Sequence, residues 1–161
     1  MRLEINVQEL IDPKPHIVKA LTRIEREAFA EGGMNEWFLS PFARYGKVFV
    51  LWVHGVDRPV GVAECMVIWD DPQCVYLFGF AIDKEWRCKG LGTRFLQAIC
   101  QDLQQAGYVA LELTVSPENA AALKIYRDKL GFEAIGFHPD EYGPGEDRLV
   151  LRLSLNSMEA M

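Results

Sequence analysis

The stretch "CVYLFGFAIDKEWRCKGLGTRFLQAICQDLQQAG", residues 74–107, constrains this chain more than any other. It opens on an unbroken apolar run, residues 74–82, the mark of a strand covered on both faces. It closes with Leu91, Phe95, Ala98 and Leu103 near one face of a helix that ends at Gly107. Between the two, Arg87, Lys89, Gly90, Gly92 and Arg94 crowd the helix start. A strand buried on both faces needs neighbouring strands and a covering layer of helices.

The flanking sequence supplies both. "LEINVQEL" alternates as a first strand, and Ile17, Leu21, Ile24 and Ala28 mark a helix over 16–29, ended by Gly32-Gly33. "GGMNEWFLSPFARYG" reads as a short helix and loop. "KVFVLWV" and "PVGVAECMVIW" read as a hairpin, and "WDDPQ" as a turn. Beyond the central stretch, "YVALELTV" is a strand. "SPENAAALKIYRDKLG" is a helix with Ser116 as N-cap, Pro117 at its first position and Gly131 at its end. "FEAIGFH" and "DRLVLRLSL" are closing strands. Helices between the mid-chain strands and antiparallel pairs at both ends predict an α/β (α+β) fold, a mixed sheet in one domain over 1–161.

The basic loop has its own chemistry. A helix start leaves backbone N–H groups unpaired and carries roughly half a positive charge. Glycines let a bulky anion approach that backbone. With Arg87 and Lys89 beside it, the loop suits a phosphate or pyrophosphate; the plain alternative is a strand-to-helix turn with solvated basic residues. No GxxxxGK[ST] string occurs, and Gly90 and Gly92 are followed by Phe95 where a dinucleotide loop needs glycine.

Composition narrows the partners. The formal charge of -6 argues against nucleic acid and suits a cationic substrate. No apolar run is long enough to cross a membrane as a helix, and the first ten residues do not read as a signal peptide. Cys65, Cys74, Cys88 and Cys100 lack CxxC or zinc-ligand spacing, so no metal is expected and a reducing cytoplasm is. Cys88, inside the basic loop, is the one thiol placed to react.

Arg87-Cys88-Lys89-Gly90-Leu91-Gly92 resembles the (Q/R)xxGx(G/A) motif of the GNAT superfamily of N-acetyltransferases. "FAID" before it and "LELTVSPENAAALKIYRDKLGF" after it are similar to that family's surrounding blocks. The resemblance covers residues 47–155 well and 1–46 only in element order. It implies about seven strands, mostly antiparallel, flanked by about four helices, with acetyl-CoA where two parallel strands, 75–82 and 108–115, splay apart. Backbone groups of Phe80, Ala81 and Ile82 would hold the pantetheine arm, and amides of Cys88, Lys89, Gly90, Leu91, Gly92 and Thr93, with Arg87 alongside, the pyrophosphate.

Seven residues, two helical turns, separate Asn119 from Tyr126, so both can face one cleft. The resemblance implies that Asn119 binds the pantetheine arm and that Tyr126 protonates the departing thiolate. A phenol of pKa near 10 can do so only slightly uphill, against a thiol near 8.5. The acceptor needs a base as well, because an alkyl ammonium of pKa near 10.4 costs roughly 4–5 kcal/mol to deprotonate at pH 7. Glu112 is the first choice: it alternates with Leu111, Leu113 and Val115, and its place resembles that of the catalytic Glu in bacterial enzymes that acetylate a ribosomal protein's N-terminus. Those enzymes have a shorter strand-to-helix turn. Glu64 is the second, a charge in an apolar strand whose other reading is solvent exposure at a sheet edge.

Glu31 lies where the family often shapes its acceptor pocket. "DEYGPGEDRLVLRL" resembles the hairpin of protein N-terminal acetyltransferases, which would make Tyr142 an acceptor contact, although Glu141 stands where those enzymes have a second tyrosine. The expected activity is acetyl transfer from acetyl-CoA to a primary amine by direct attack in a ternary complex. The amine is a peptide N-terminus or a small molecule, the latter favoured by Asp70, Asp71 and the low isoelectric point. The alternative is a non-catalytic acyl-CoA sensor. Many members of the family dimerise through sheet edges, and the sequence leaves a homodimer open.

Overall fold

A computed structural model describes residues 1–156. The strands are β1 (Ile5–Glu9), β2 (Lys47–Val53), β3 (Gly61–Ile68), β4 (Asp71–Ile82), β5 (Ala110–Val115), β6 (Glu133–His138) and β7 (Arg148–Ser154). The helices are α1 (Pro15–Phe29), α2 (Glu36–Tyr45), α3 (Leu91–Gln105) and α4 (Ala120–Leu123), the last running into a π-helical turn over Lys124–Lys129. The strands hydrogen-bond in the order β1-β2-β3-β4-β5-β7-β6. β1–β2, β2–β3, β5–β7 and β6–β7 pair antiparallel, and β4–β5 pair parallel. The mixed seven-stranded sheet with helices is the expected architecture. The parallel ladder runs from Cys74↔Ala110 to Leu77↔Leu113, while β4 continues to Ile82 and β5 to Val115.

The described chain falls into two compact units, residues 1–66 with 78–95, and residues 67–77 with 96 onward. In the first, Val18, Leu21 and Ile24 of α1 and Leu39 and Ala43 of α2 form one core with Val48 and Val50 of β2, Val62 of β3 and Ala81 of β4. This is the helical stripe read from the sequence closing on alternate strand residues. α2 starts at Asn35, whose side chain accepts from Trp37 N at 3.0 Å. In the second unit, Leu111 and Leu113 of β5 are buried, as are Ile99 and Leu103 of α3, while Glu112 and Thr114 keep partial exposure.

Three boundaries differ from the sequence reading. "WDDPQ" is mostly strand: the turn is confined to Trp69–Asp70, because Asp71 already begins β4. Tyr108 and Val109 precede β5. Ser116 does not cap α4; its Oγ accepts from Glu118 N at 3.3 Å in a turn, and Asn119 is the N-cap, accepting from Ala122 N at 3.1 Å. Asparagine is as good a cap as serine, and local composition does not choose between two caps three residues apart.

Candidate active site

In the first unit, β4 runs out through Phe80, Ala81 and Ile82 into the basic loop. The Phe80 ring lies 5.3 Å from that of Phe95, so its side chain is spent on packing. Asp83 then caps a 3-10 turn over Lys84–Trp86, its Oδ1 accepting from Glu85 N at 3.1 Å. Arg87 folds back, its Nε donating to the Ile82 carbonyl at 2.9 Å. The chain next takes positive φ at Cys88 (62°) and Gly90 (76°) before α3 begins at Leu91. Left-handed residues placed this way turn neighbouring N–H groups into a concavity that suits an anion. Gly90 is the residue type this conformation favours; Cys88, exposed, adopts it against its side chain.

The loop is tied down by a residue that the sequence reading passed over. Asp83 is buried, and its carboxylate accepts from Arg23 Nη2 at 2.9 Å and from Arg58 Nη1, while Arg58 Nη2 reaches Glu85 at 2.8 Å. Burial alone would push the Asp83 carboxyl up. The Arg58 and Arg23 hydrogen bonds outweigh it and hold the group below the ordinary value. The available signal was an acid directly after a buried strand.

Glu64 is not at a sheet edge. β3 lies between β2 and β4, and Glu64 is fully buried. Its companion is Glu25 of α1, also buried, whose Oε2 accepts from Met34 N at 3.2 Å. Burial first, and then hydrogen bonding to and repulsion from Glu25, push the Glu64 carboxyl well above its ordinary value. Glu25 was legible: it stands four residues after Leu21 and one after Ile24, on the apolar face of α1. Glu31 lies exposed in a 3-10 turn, Ala30–Gly32, after α1.

In the second unit, Glu112 stands opposite Arg152, with Arg152 Nη1 at 3.6 Å from its Oε1. Arg152 Nη2 also donates to Cys74 Sγ at 3.0 Å and lies 3.8 Å from Asp71. Asn119 uses its Oδ1 as a helix cap, leaving its amide N–H groups as what it can offer a ligand. Tyr126 sits in the π turn, where Leu130 N bonds to Ile125 O at 3.1 Å. Seven residues are therefore not two α-helical turns here, a correction to the spacing argument. Such turns recur at functional positions. Tyr126 is half-buried, and burial pushes its phenol up to about 12.

Tyr142 is exposed on the turn before β7, stacked under Arg148 with the guanidinium carbon 4.9 Å from its ring centre. Beside it is Tyr76 of β4, whose hydroxyl lies 3.0 Å from Thr114 Oγ1 of β5. Burial, tempered by Thr114 and reinforced by Tyr142 and Glu141, lifts the Tyr76 phenol above its ordinary value. Among the described residues, no three His, Cys, Asp or Glu side chains gather where a metal ion could be held, and no helix is long and apolar enough to cross a membrane.

The Acetyltransferase (GNAT) family matches this chain over residues 15–132. The [ribosomal protein bS18]-alanine N-acetyltransferase of Salmonella typhimurium (strain LT2) is 31% identical over 142 residues, 85% of this chain and 90% of that one. The crystal structure of the ribosomal-protein-S18-alanine N-acetyltransferase from Escherichia coli has the same fold, with a TM-score of 0.79 at 24% identity, covering 98% of this chain and 97% of that one. A structure of the NatC complex bound to Gag peptide and CoA has a chain of the same fold, with a TM-score of 0.77 at 18% identity, covering 94% of this chain and 98% of that one. With the matched segment spanning both the anion-suited loop and the helix of Asn119 and Tyr126, the chain belongs to the GNAT family and is an N-acetyltransferase that uses acetyl-CoA.

Proposed function

We propose that this enzyme transfers acetyl from acetyl-CoA to the α-amine of a peptide or protein N-terminus, by direct attack in a ternary complex. The observation that carries the cofactor half is the turn from Arg87 to Gly90, with positive φ at Cys88 and Gly90 opening onto α3. Its amides and those through Thr93 bind the pyrophosphate, and the backbone of Phe80–Ile82 binds the pantetheine arm. The Salmonella relative is named for acetylating an alanine of a ribosomal protein, which supports a peptide acceptor.

The chemistry favours the same acceptor. An α-amine of pKa near 8 costs about 1.4 kcal/mol to deprotonate at pH 7, against roughly 4–5 kcal/mol for an alkyl amine. Tyr142, exposed and braced by Arg148, contacts the acceptor, and exposed Glu31 lines its approach. Asp71, part of the acidic stretch that suggested a polyamine, is already engaged with Cys74 and Arg152. Asn119 offers its amide N–H groups to the pantetheine arm. Tyr126 serves the leaving sulfur as a hydrogen-bond donor: from a phenol near 12 to a thiolate near 8.5, full proton transfer is uphill by about 5 kcal/mol. Glu112 and Glu64 are the carboxylates on offer to the amine.

The test is thiol release from acetyl-CoA across peptides of varied N-termini, spermidine, free lysine and an aminoglycoside. Turnover confined to peptides supports the reading. Turnover with a polyamine or amino sugar alone reassigns the acceptor, and cofactor binding without turnover on any of them points to a sensor.

A further inference from the structure

Three buried oxygens in the first unit, Glu64 Oε1 and Oε2 and Glu25 Oε1, have no hydrogen-bond partner among the described residues. Buried carboxylates are seldom left so. Two of the oxygens, one from each residue, meet at one point: a Cβ on Gly79 would stand 2.3 Å from Glu64 Oε2 and 3.3 Å from Glu25 Oε1. Gly79, in β4, is therefore a gap kept open over the two carboxyls. It retains partial solvent access while both glutamates are buried. The residues that follow it, Phe80–Ile82, are the segment assigned above to the pantetheine arm. α1 contributes Glu25, β2 faces Glu64 with Val48, and β4 presents Gly79. Among the described residues, Glu25 is the charged side chain whose field acts on Glu64.

We propose that Glu25 and Glu64 form a one-proton carboxyl pair that takes the first proton of the acceptor ammonium across Gly79. The proposal rests on the transfer reading above and assigns Glu25 and Gly79 to it. Two facing carboxylates cannot both stay ionised cheaply, so the ionised pair accepts a single proton avidly and shares it between facing oxygens. Such a shared proton joins one oxygen of each carboxyl, two of the three orphaned atoms. The upward displacement of Glu64, caused by burial and by Glu25, agrees with this.

The protons balance. The ammonium gives one proton to the pair, directly or through one water, and becomes an amine. Its lone pair bonds to the thioester carbonyl carbon, the C–S bond breaks, and the remaining ammonium-type proton of the adduct ends on the coenzyme sulfur. The pair then returns its proton to solvent, so one proton is released per amide formed.

The experiment compares wild type, Glu64→Gln and Glu25→Gln with two peptides differing only in the N-terminal amine. One carries a β-alanyl terminus, mostly protonated at assay pH, and the other an aminooxyacetyl terminus, already neutral. A relay predicts a loss of about 100-fold or more in kcat/KM for the first, under 10-fold for the second, and disappearance in the variants of an acidic limb that wild type shows with the first peptide only. Equal losses for both peptides with the limb unchanged would overturn the relay and leave the transfer reading intact. A wild type inert towards every acceptor would overturn both. Should the variants not fold, the wild type alone decides: an infrared protonated-carboxyl band that disappears over the same pH interval as the limb supports the pair, and its absence overturns it.

Discussion

Glu112 of β5 and Arg152 of β7 stand directly opposite one another in the antiparallel ladder, with 3.6 Å between Glu112 Oε1 and Arg152 Nη1. The carboxylate first favoured as the base is thus held by a cation, with both side chains keeping some solvent. Such a pair contributes only about 0–1 kcal/mol to stability. With the amine's proton taken by the Glu25–Glu64 pair, Glu112→Gln and Arg152→Gln should both stay within about threefold of wild type in kcat/KM, by steady-state kinetics at saturating acetyl-CoA. A loss of about 100-fold or more confined to Glu112→Gln would make Glu112 the base instead.

In the role proposed for it Tyr126 acts as a protonated phenol, and the pKa of about 12 to which burial pushes it sets where that form is lost. The group stays protonated below that pH, so no fall in kcat from its ionisation is expected up to pH 10. Tyr126→Phe should lower kcat by about 100-fold with a smaller change in KM for acetyl-CoA. A kcat of wild type that falls through pH 9 and is restored in the variant would contradict this assignment.

Asp83 anchors the loop by its charge. Asp83→Asn keeps the shape and loses the pairing with Arg23 and Arg58, at a cost of about 3 kcal/mol, limited because both arginines keep solvent access. The folded carboxyl titrates below its ordinary 3.8, so its stabilisation is complete above that value and is lost as pH falls towards the folded pKa. The gap in Tm between wild type and variant should therefore be full at pH 6 and shrink below pH 4. KM for acetyl-CoA should rise in the variant, because the loop that starts at Asp83 loosens.

Glu64 behaves in the opposite sense. Its folded pKa lies above the ordinary 4.5, so folding favours the protonated form and the wild type loses stability as pH rises from there. Glu64→Gln, neutral at all pH, should match wild type near pH 4 and be more stable at pH 8, by about 1–3 kcal/mol. Chemical denaturation at the two pH values checks it. A variant that is less stable at pH 8 would mean that the buried charge is compensated.

Much of this protein was legible because its signals are local. Periodicity marked the strands and helices, the apolar run marked β4, and Gly90 and Gly92 beside the basic residues marked a helix start open to an anion. The GNAT resemblance lay in contiguous residues, Arg87 to Gly92 and Leu111 to Phe132. Tertiary structure decided what side chains distant in sequence do to one another. Asp83 with Arg23 and Arg58, Glu112 with Arg152, and Glu25 with Glu64 are each joined by strand register or helix docking, on which local composition is silent. The π turn at Tyr126 and the shift of the cap from Ser116 to Asn119 belong there too, since a turn or cap with competing local solutions is settled by what the helix packs against. Sequence named the groups; only the fold placed a second carboxyl beside Glu64 and a guanidinium beside Glu112, and so made the two glutamates chemically different.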